Sequence, residues 1–64
     1  MKLTDRNLRE CLDSATSDLR IGEKVRVDFT DDLHSKYVDL QLAGYYPEIL
    51  CTRANGDYYL MRVR

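Results

Sequence analysis

The dipeptide Asn55-Gly56 constrains this chain more than any other feature. It separates two runs rich in strand formers, "EILCTR" and "DYYLMRV". A two-residue hairpin turn of type I′ needs φ > 0 at both central positions, and Asn-Gly meets that need. Such a turn also sets the register. Ala54 then faces Asp57, Arg53 faces Tyr58, Thr52 faces Tyr59, Cys51 faces Leu60 and Leu50 faces Met61. Opposed residues share a face of the sheet. One face therefore carries Leu50, Thr52, Tyr59, Met61 and Val63. The other carries Ile49, Cys51, Arg53, Tyr58, Leu60, Arg62 and Arg64. A strand with one wet face alternates apolar and polar residues. "YYLM" is apolar at every position, so both faces of the hairpin need cover.

The rest of the chain supplies candidates for that cover. The first face, which holds no charge, is the one expected to meet a helix, which leaves the second as a mixed apolar and arginine surface. Residues 4–20 read as an amphipathic helix, with Leu8, Cys11, Leu12, Ala15 and Leu19 on one face. Thr4 suits the N-cap, Asp5 the positive end of the helix dipole, and Gly22 a termination. Ser14, Thr16 and Ser17 weaken the last turns, so the helix is expected to end early. After Gly22 the period changes to two. Val25, Val27 and Phe29 alternate with Lys24, Arg26 and Asp28, which reads as a strand over 24–30. In "KYVDLQLAG", Val38, Leu40 and Leu42 also alternate with polar neighbours, which reads as a strand over 36–43. Gly44 and Pro47 mark a turn. The hairpin strands follow, over 48–53 and 57–63. The expected fold is α+β: an N-terminal amphipathic helix packed on a four-stranded antiparallel meander, either open or curled into a small SH3-like, partly open barrel.

Size makes the question of cover sharper. A chain of 64 residues is a single domain, and domains this small bury only about 60% of their unfolded surface. A disulfide, a metal or a partner subunit commonly supplies the missing stability. The two cysteines, Cys11 and Cys51, form no paired metal-binding motif. They read as small buried thiols in a reducing, cytoplasmic setting, with one long-range disulfide as the alternative. No run is long and apolar enough to span a membrane, and the charged start "MKLTDRNLREC" is not a secretory signal.

Charge and motif content narrow the function classes. Ten Lys and Arg against 11 Asp and Glu give a formal net charge of -1, so long-range electrostatics select no partner. Phosphate loops and dinucleotide-binding glycine runs are absent from the sequence. Asp28, Asp31, Asp32 and His34 cluster in sequence, but their spacing matches neither a calcium loop nor a zinc motif, and a solvated turn is the plainer reading. Neither a catalytic centre nor a cofactor is expected.

The closing pattern, a tight glycine turn followed by "YYLMRV", looks like the late strands of SH3-like and Tudor-like modules. That resemblance covers less than half of the chain and implies no activity.

The expected function is therefore that of a small interaction protein, of the inhibitor or regulator kind that phage and mobile elements use against larger machines. It would dock a protein partner, or a second copy of itself, through the sheet face of its last hairpin. The candidate contact residues are Ile49, Arg53, Tyr58, Leu60 and Arg62, with Tyr37 beside them, because Tyr, Arg and exposed aliphatics are common at binding hot spots. The alternative is nucleic-acid binding on an Arg53, Tyr58 and Arg62 strip, where bases would stack on the aromatic ring.

Overall fold

The computed structural model describes residues 3–64. In chain order these form α1 (Leu8–Ser17), β1 (Lys24–Val27), α2 (Asp31–Leu42), β2 (Ile49–Ala54) and β3 (Asp57–Arg62). The three strands make one open antiparallel sheet in the order β1-β3-β2. The fold is α+β as expected, with two helices and three strands in place of one helix and four strands. The sheet is open and does not form a barrel.

The expected strand over 36–43 is helical. The helix is specified at both of its ends. Thr30 has extended backbone, and its Oγ1 accepts the Leu33 amide at 3.2 Å, which makes it an N-cap. Asp31 and Asp32 then sit in the first turn, at the positive end of the dipole. At the far end Gly44 adopts φ 94°. Its amide donates to Gln41 O at 3.0 Å, and the Tyr45 amide donates to Leu40 O at 3.0 Å. This pair of bonds is a Schellman closure. The alternation of Val38, Leu40 and Leu42 belongs to residues that diverge around a helix. The inward face is Leu33, Tyr37, Leu40 and Gln41, at helical spacing, while Leu42 is 82% exposed.

α1 is shorter than the expected 4–20. The Thr4 amide donates to Asn7 Oδ1 at 2.8 Å, and the first helical bond runs from the Cys11 amide to Asn7 O at 2.8 Å. At the other end Thr16 Oγ1 donates to Leu12 O at 2.7 Å and Ser17 Oγ to Ser14 O at 3.0 Å. Such hydroxyls compete with the helical amides for carbonyls, and the helix stops at Ser17.

The hairpin has the register that Asn55-Gly56 implies, from Ala54 opposite Asp57 to Leu50 opposite Met61. Both turn residues have positive φ, 53° and 84°. β1 pairs with the other edge of β3, placing Val25 opposite Leu60 and Val27 opposite Tyr58. β3 is therefore central. β1 and β2 run parallel to each other on either side of it, joined by the α2 crossover.

Both helices pack on the same side of the sheet. The core is Leu8 and Leu12 from α1, Leu33 and Tyr37 from α2, Ile49 from β2 and Leu60 from β3. Val25, Val27 and Cys51 pack against it. This reverses the expected assignment of faces. The Tyr58, Leu60 and Arg62 face is the covered one, and the Tyr59, Met61 and Val63 face is open. Among the described residues no helix is long and apolar enough to cross a membrane.

Candidate interaction surface

The expected contact residues all lie on the helix side of the sheet or beneath it. Ile49, Leu60 and Tyr37 are core residues, with Leu60 and Tyr37 fully buried. They are not exposed contacts. Burial wins because Leu60 stands at the middle of the central strand, flanked by Val25 and Cys51 across the sheet. Tyr37 is held by its hydroxyl. Its Oη donates to Ile49 O at 3.3 Å and accepts from Gln41 Nε2 at 3.0 Å. Gln41 Nε2 also donates to Ile49 O at 2.7 Å. Burial, with smaller effects from Cys51 and Tyr46, pushes the Tyr37 phenol up to about 12.

Arg62 is half-buried and turned toward α1. Its Nη1 donates to Leu19 O at 3.0 Å and its Nε to Arg64 O at 2.7 Å. A guanidinium on a long apolar stem can lie along a core face in this way and still satisfy its donors. Tyr58 belongs to an aromatic cluster that the sequence did not reveal. Its ring stacks on His34 with centroids 4.7 Å apart, and Phe29 packs at 5.8 Å from it. The Arg53 guanidinium lies over the same ring at 5.1 Å. His34 is thus a packed residue at the start of α2, not a solvated turn residue. The expected Arg53, Tyr58 and Arg62 strip is divided: Arg53 is exposed, Tyr58 is stacked, and Arg62 is tied to the segment that follows α1.

The opposite face is the uncovered one. β3 runs down its middle and contributes Tyr59, Met61 and, just beyond the strand, Val63. β2 adds Leu50 and Thr52 on one flank, and β1 adds Lys24 and Arg26 on the other. Pairing arranges them in rungs, Lys24–Met61–Leu50 and Arg26–Tyr59–Thr52. Leu50 is 47% and Val63 42% exposed, while Tyr59 and Met61 are half-buried by their own neighbours. Lys24 Nζ lies 5.0 Å from the centroid of the Tyr59 ring. Arg26 is engaged by two carboxylates, Asp28 at 3.2 Å and Asp57 at 3.5 Å. These ion pairs are exposed and hold the side chain in place more than they stabilise the fold. The centre of the face is apolar and aromatic, and its charges are confined to the margin. Protein interfaces share that distribution.

Edge pairing is a separate route to association, and the backbone closes it only at Ile49. Arg62 points its amide at β1, donating to Glu23 O at 3.0 Å, and the Val63 amide donates the other way, to Glu48 O at 2.9 Å. Ladder alternation then turns the backbone groups of Lys24 and Arg26 outward on β1, and those of Ile49, Cys51 and Arg53 outward on β2. Ile49 is already satisfied: its amide donates to Tyr46 O at 3.1 Å and its carbonyl receives Tyr37 and Gln41. The outward positions of β1 carry charged side chains, which discourage an added strand.

A cleft of about 310 Å³ lies between the helices, lined by Leu8, Arg9, Lys36, Asp39 and Leu40 among others. Lys36 Nζ is paired with Asp5 Oδ2 at 2.7 Å, and the Arg9 guanidinium lies over the Tyr45 ring at 4.3 Å. Burial pushes the Cys51 thiol up, which favours the unreactive protonated form.

Comparison with protein-family models, with curated proteins and with solved structures finds no match for this chain.

Proposed function

We propose that this chain is an interaction protein, a regulator or inhibitor rather than an enzyme, and that it docks another protein molecule on its open sheet face. One observation carries the reading. The helices cover only one side of the sheet, and the other side presents Leu50, Tyr59, Met61 and Val63 as a connected apolar centre with Lys24 and Arg26 at its margin. A sheet face of this composition is what a docking partner removes from water. Each square ångström of apolar surface so removed favours the complex by about 25 cal/mol before the costs of association. The thiol of Cys51 does not compete as a functional centre, because a protonated, half-buried sulfur is a poor nucleophile.

The test is photo-crosslinking from the open face in an extract of the source cells. The probe is placed at Thr52, and the Tyr59→Glu chain serves as a matched control. A crosslinked protein that disappears with Tyr59→Glu, while circular dichroism is unchanged, supports the reading. Identical crosslinks from both chains would refute it. Retention of DNA or RNA at low salt, without any protein crosslink, would replace it with the nucleic-acid alternative.

A further inference from the structure

We infer that the outer edge of β1 is a second docking site, separate from the open face, and that it takes an extended segment of another protein as an added strand. β1 is an outer strand of the sheet and pairs with β3 alone. Its Lys24 and Arg26 are both exposed, and their backbone groups point away from β3. Among the described residues no group bonds to those two amides or to those two carbonyls. Nor do the side chains fold back over them. Lys24 leans over the Tyr59 ring of β3, and Arg26 is drawn to Asp57 of β3 and to Asp28. Two donors and two acceptors are thus left at strand spacing. An extended backbone is the partner whose own groups repeat at that spacing.

A hollow beside this edge supplies a side-chain site. It has a volume of about 150 Å³ and is lined by Leu3, by Cys11, Leu12 and Ala15 of α1, and by Val27 with its two neighbours on the chain. An added strand turns alternate side chains to the helix side of the sheet. The residue opposite Val27 is one of these, and it meets the hollow. Apolar cavities of roughly that volume hold a benzene-sized molecule, so the hollow admits a leucine or phenylalanine side chain. Backbone pairing on an edge with a pocket for one of the alternate side chains is how added peptide strands are recognised.

Charge selects which strand is accepted. Arg26 already has two carboxylates, whereas Lys24 has none among the described residues. Its contact with Tyr59 is an exposed cation–π contact, which is weak, so the ammonium is free to turn to a carboxylate on an added strand. That carboxylate stands opposite Lys24, on the other side of the strand from the apolar residue and three positions away from it. A strand that brings its own cations is rejected. The β1 of a second copy is such a strand, since antiparallel pairing sets its Lys24 and Arg26 against the same two residues. The occupant is therefore a segment of a different protein, extended, with an apolar residue and an Asp or Glu three positions apart.

The probe is the blocked hexapeptide acetyl-Thr-Leu-Thr-Val-Glu-Thr-amide. In antiparallel order it sets its Leu opposite Val27 and its Glu opposite Lys24. It is titrated to about 1 mM into the isotope-labelled full chain, and amide resonances and hydrogen exchange are followed by NMR. The expected result is saturable shifts of the Lys24 and Arg26 amides, with exchange at both slowed about tenfold. The same peptide N-methylated at its second Thr and its Glu loses the donors that meet the two outward carbonyls, and it should not bind. Exchanging the peptide Glu for Lys should weaken binding at least tenfold, and Lys24→Glu in the protein should restore it. Ala15→Phe fills the hollow and should exclude the peptide. Replacing the peptide Leu by Lys makes the same test without touching the protein, should that variant fail to fold. No saturable shift at Lys24 and Arg26 overturns the inference. So do equal binding of the N-methylated peptide, a charge exchange that restores nothing, or shifts confined to Leu50, Tyr59 and Met61. The Thr52 crosslink and its dependence on Tyr59 are unaffected by any of these results, so the open-face reading stands or falls on its own test.

Discussion

The phenol of Tyr37 joins α2 to the first residue of β2, and its burial makes it a reporter of folding. Its hydroxyl is one of two donors to Ile49 O, the other being Gln41 Nε2 at 2.7 Å. Tyr37→Phe therefore leaves that carbonyl satisfied, and the expected loss at neutral pH is about 1 kcal/mol, measured by urea unfolding. Alkaline pH enlarges the role of the hydroxyl. Below pH 10 the phenol is neutral in both the folded and the unfolded chain, and its burial has no pH-dependent cost. Between pH 10 and about 12 the unfolded chain ionises while the folded one stays protonated, so stability is lost over that window. Tyr46 and Cys51 are shifted upward as well, Tyr46 by burial and by its hydrogen bond to Asp13 at 2.7 Å, and they act in the same direction. Melting temperatures at pH 9, 10 and 11 should fall for the wild type and fall less for Tyr37→Phe. Parallel curves for the two chains would mean that another group controls the alkaline transition.

At the scale of elements, end signals proved more informative than side-chain periodicity. The hairpin was legible in full, because Asn55-Gly56 requires positive φ at both residues and so fixes each cross-strand pair. β1 was legible from its alternation, although it stops at Val27. α2 was not, because its inward face spends a position on Gln41 and leaves Val38 and Leu42 exposed, which blurs the helical period. The deciding signals were Thr30 ahead of two aspartates and Gly44 at the far end. Thr30→Ala should cost about 1 kcal/mol through the lost bond to the Leu33 amide. Gly44→Ala should cost about 1–2 kcal/mol from the left-handed backbone alone, since nothing lies within 4 Å of an added Cβ. Thermal unfolding followed at 222 nm measures both, and no change in either would show that α2 does not depend on its ends. The open face was half legible. The register separated its residues correctly, but the lack of charge on the Tyr59 side suggested helix cover. Two facts reversed the choice: Arg62 reaches Leu19 O from within the covered side, and β1 contributes Lys24 and Arg26 to the open one.

For the molecule as a whole, the arrangement leaves one large surface and two short edges through which copies could associate. On β2 the outward groups of Ile49 are occupied by Tyr46, Tyr37 and Gln41, so α2 closes the start of that edge. On β1 only side-chain charge stands in the way. The backbone groups of Lys24 and Arg26 point outward, and each residue brings a cation that an added strand would have to accommodate. Removing those cations should open the edge. Lys24→Thr combined with Arg26→Thr keeps strand propensity and replaces charge with hydroxyls that an added strand tolerates. It also frees Asp28 and Asp57 from exposed ion pairs that contribute little, so the fold itself should survive. The expected result is a shift from discrete low-mass species to heterogeneous large ones, with increased thioflavin fluorescence on incubation. Met61→Lys added to the pair should not suppress that growth, because edge pairing does not use the open face. A double variant that stays at one or two chains would show that geometry, and not charge, closes the β1 edge.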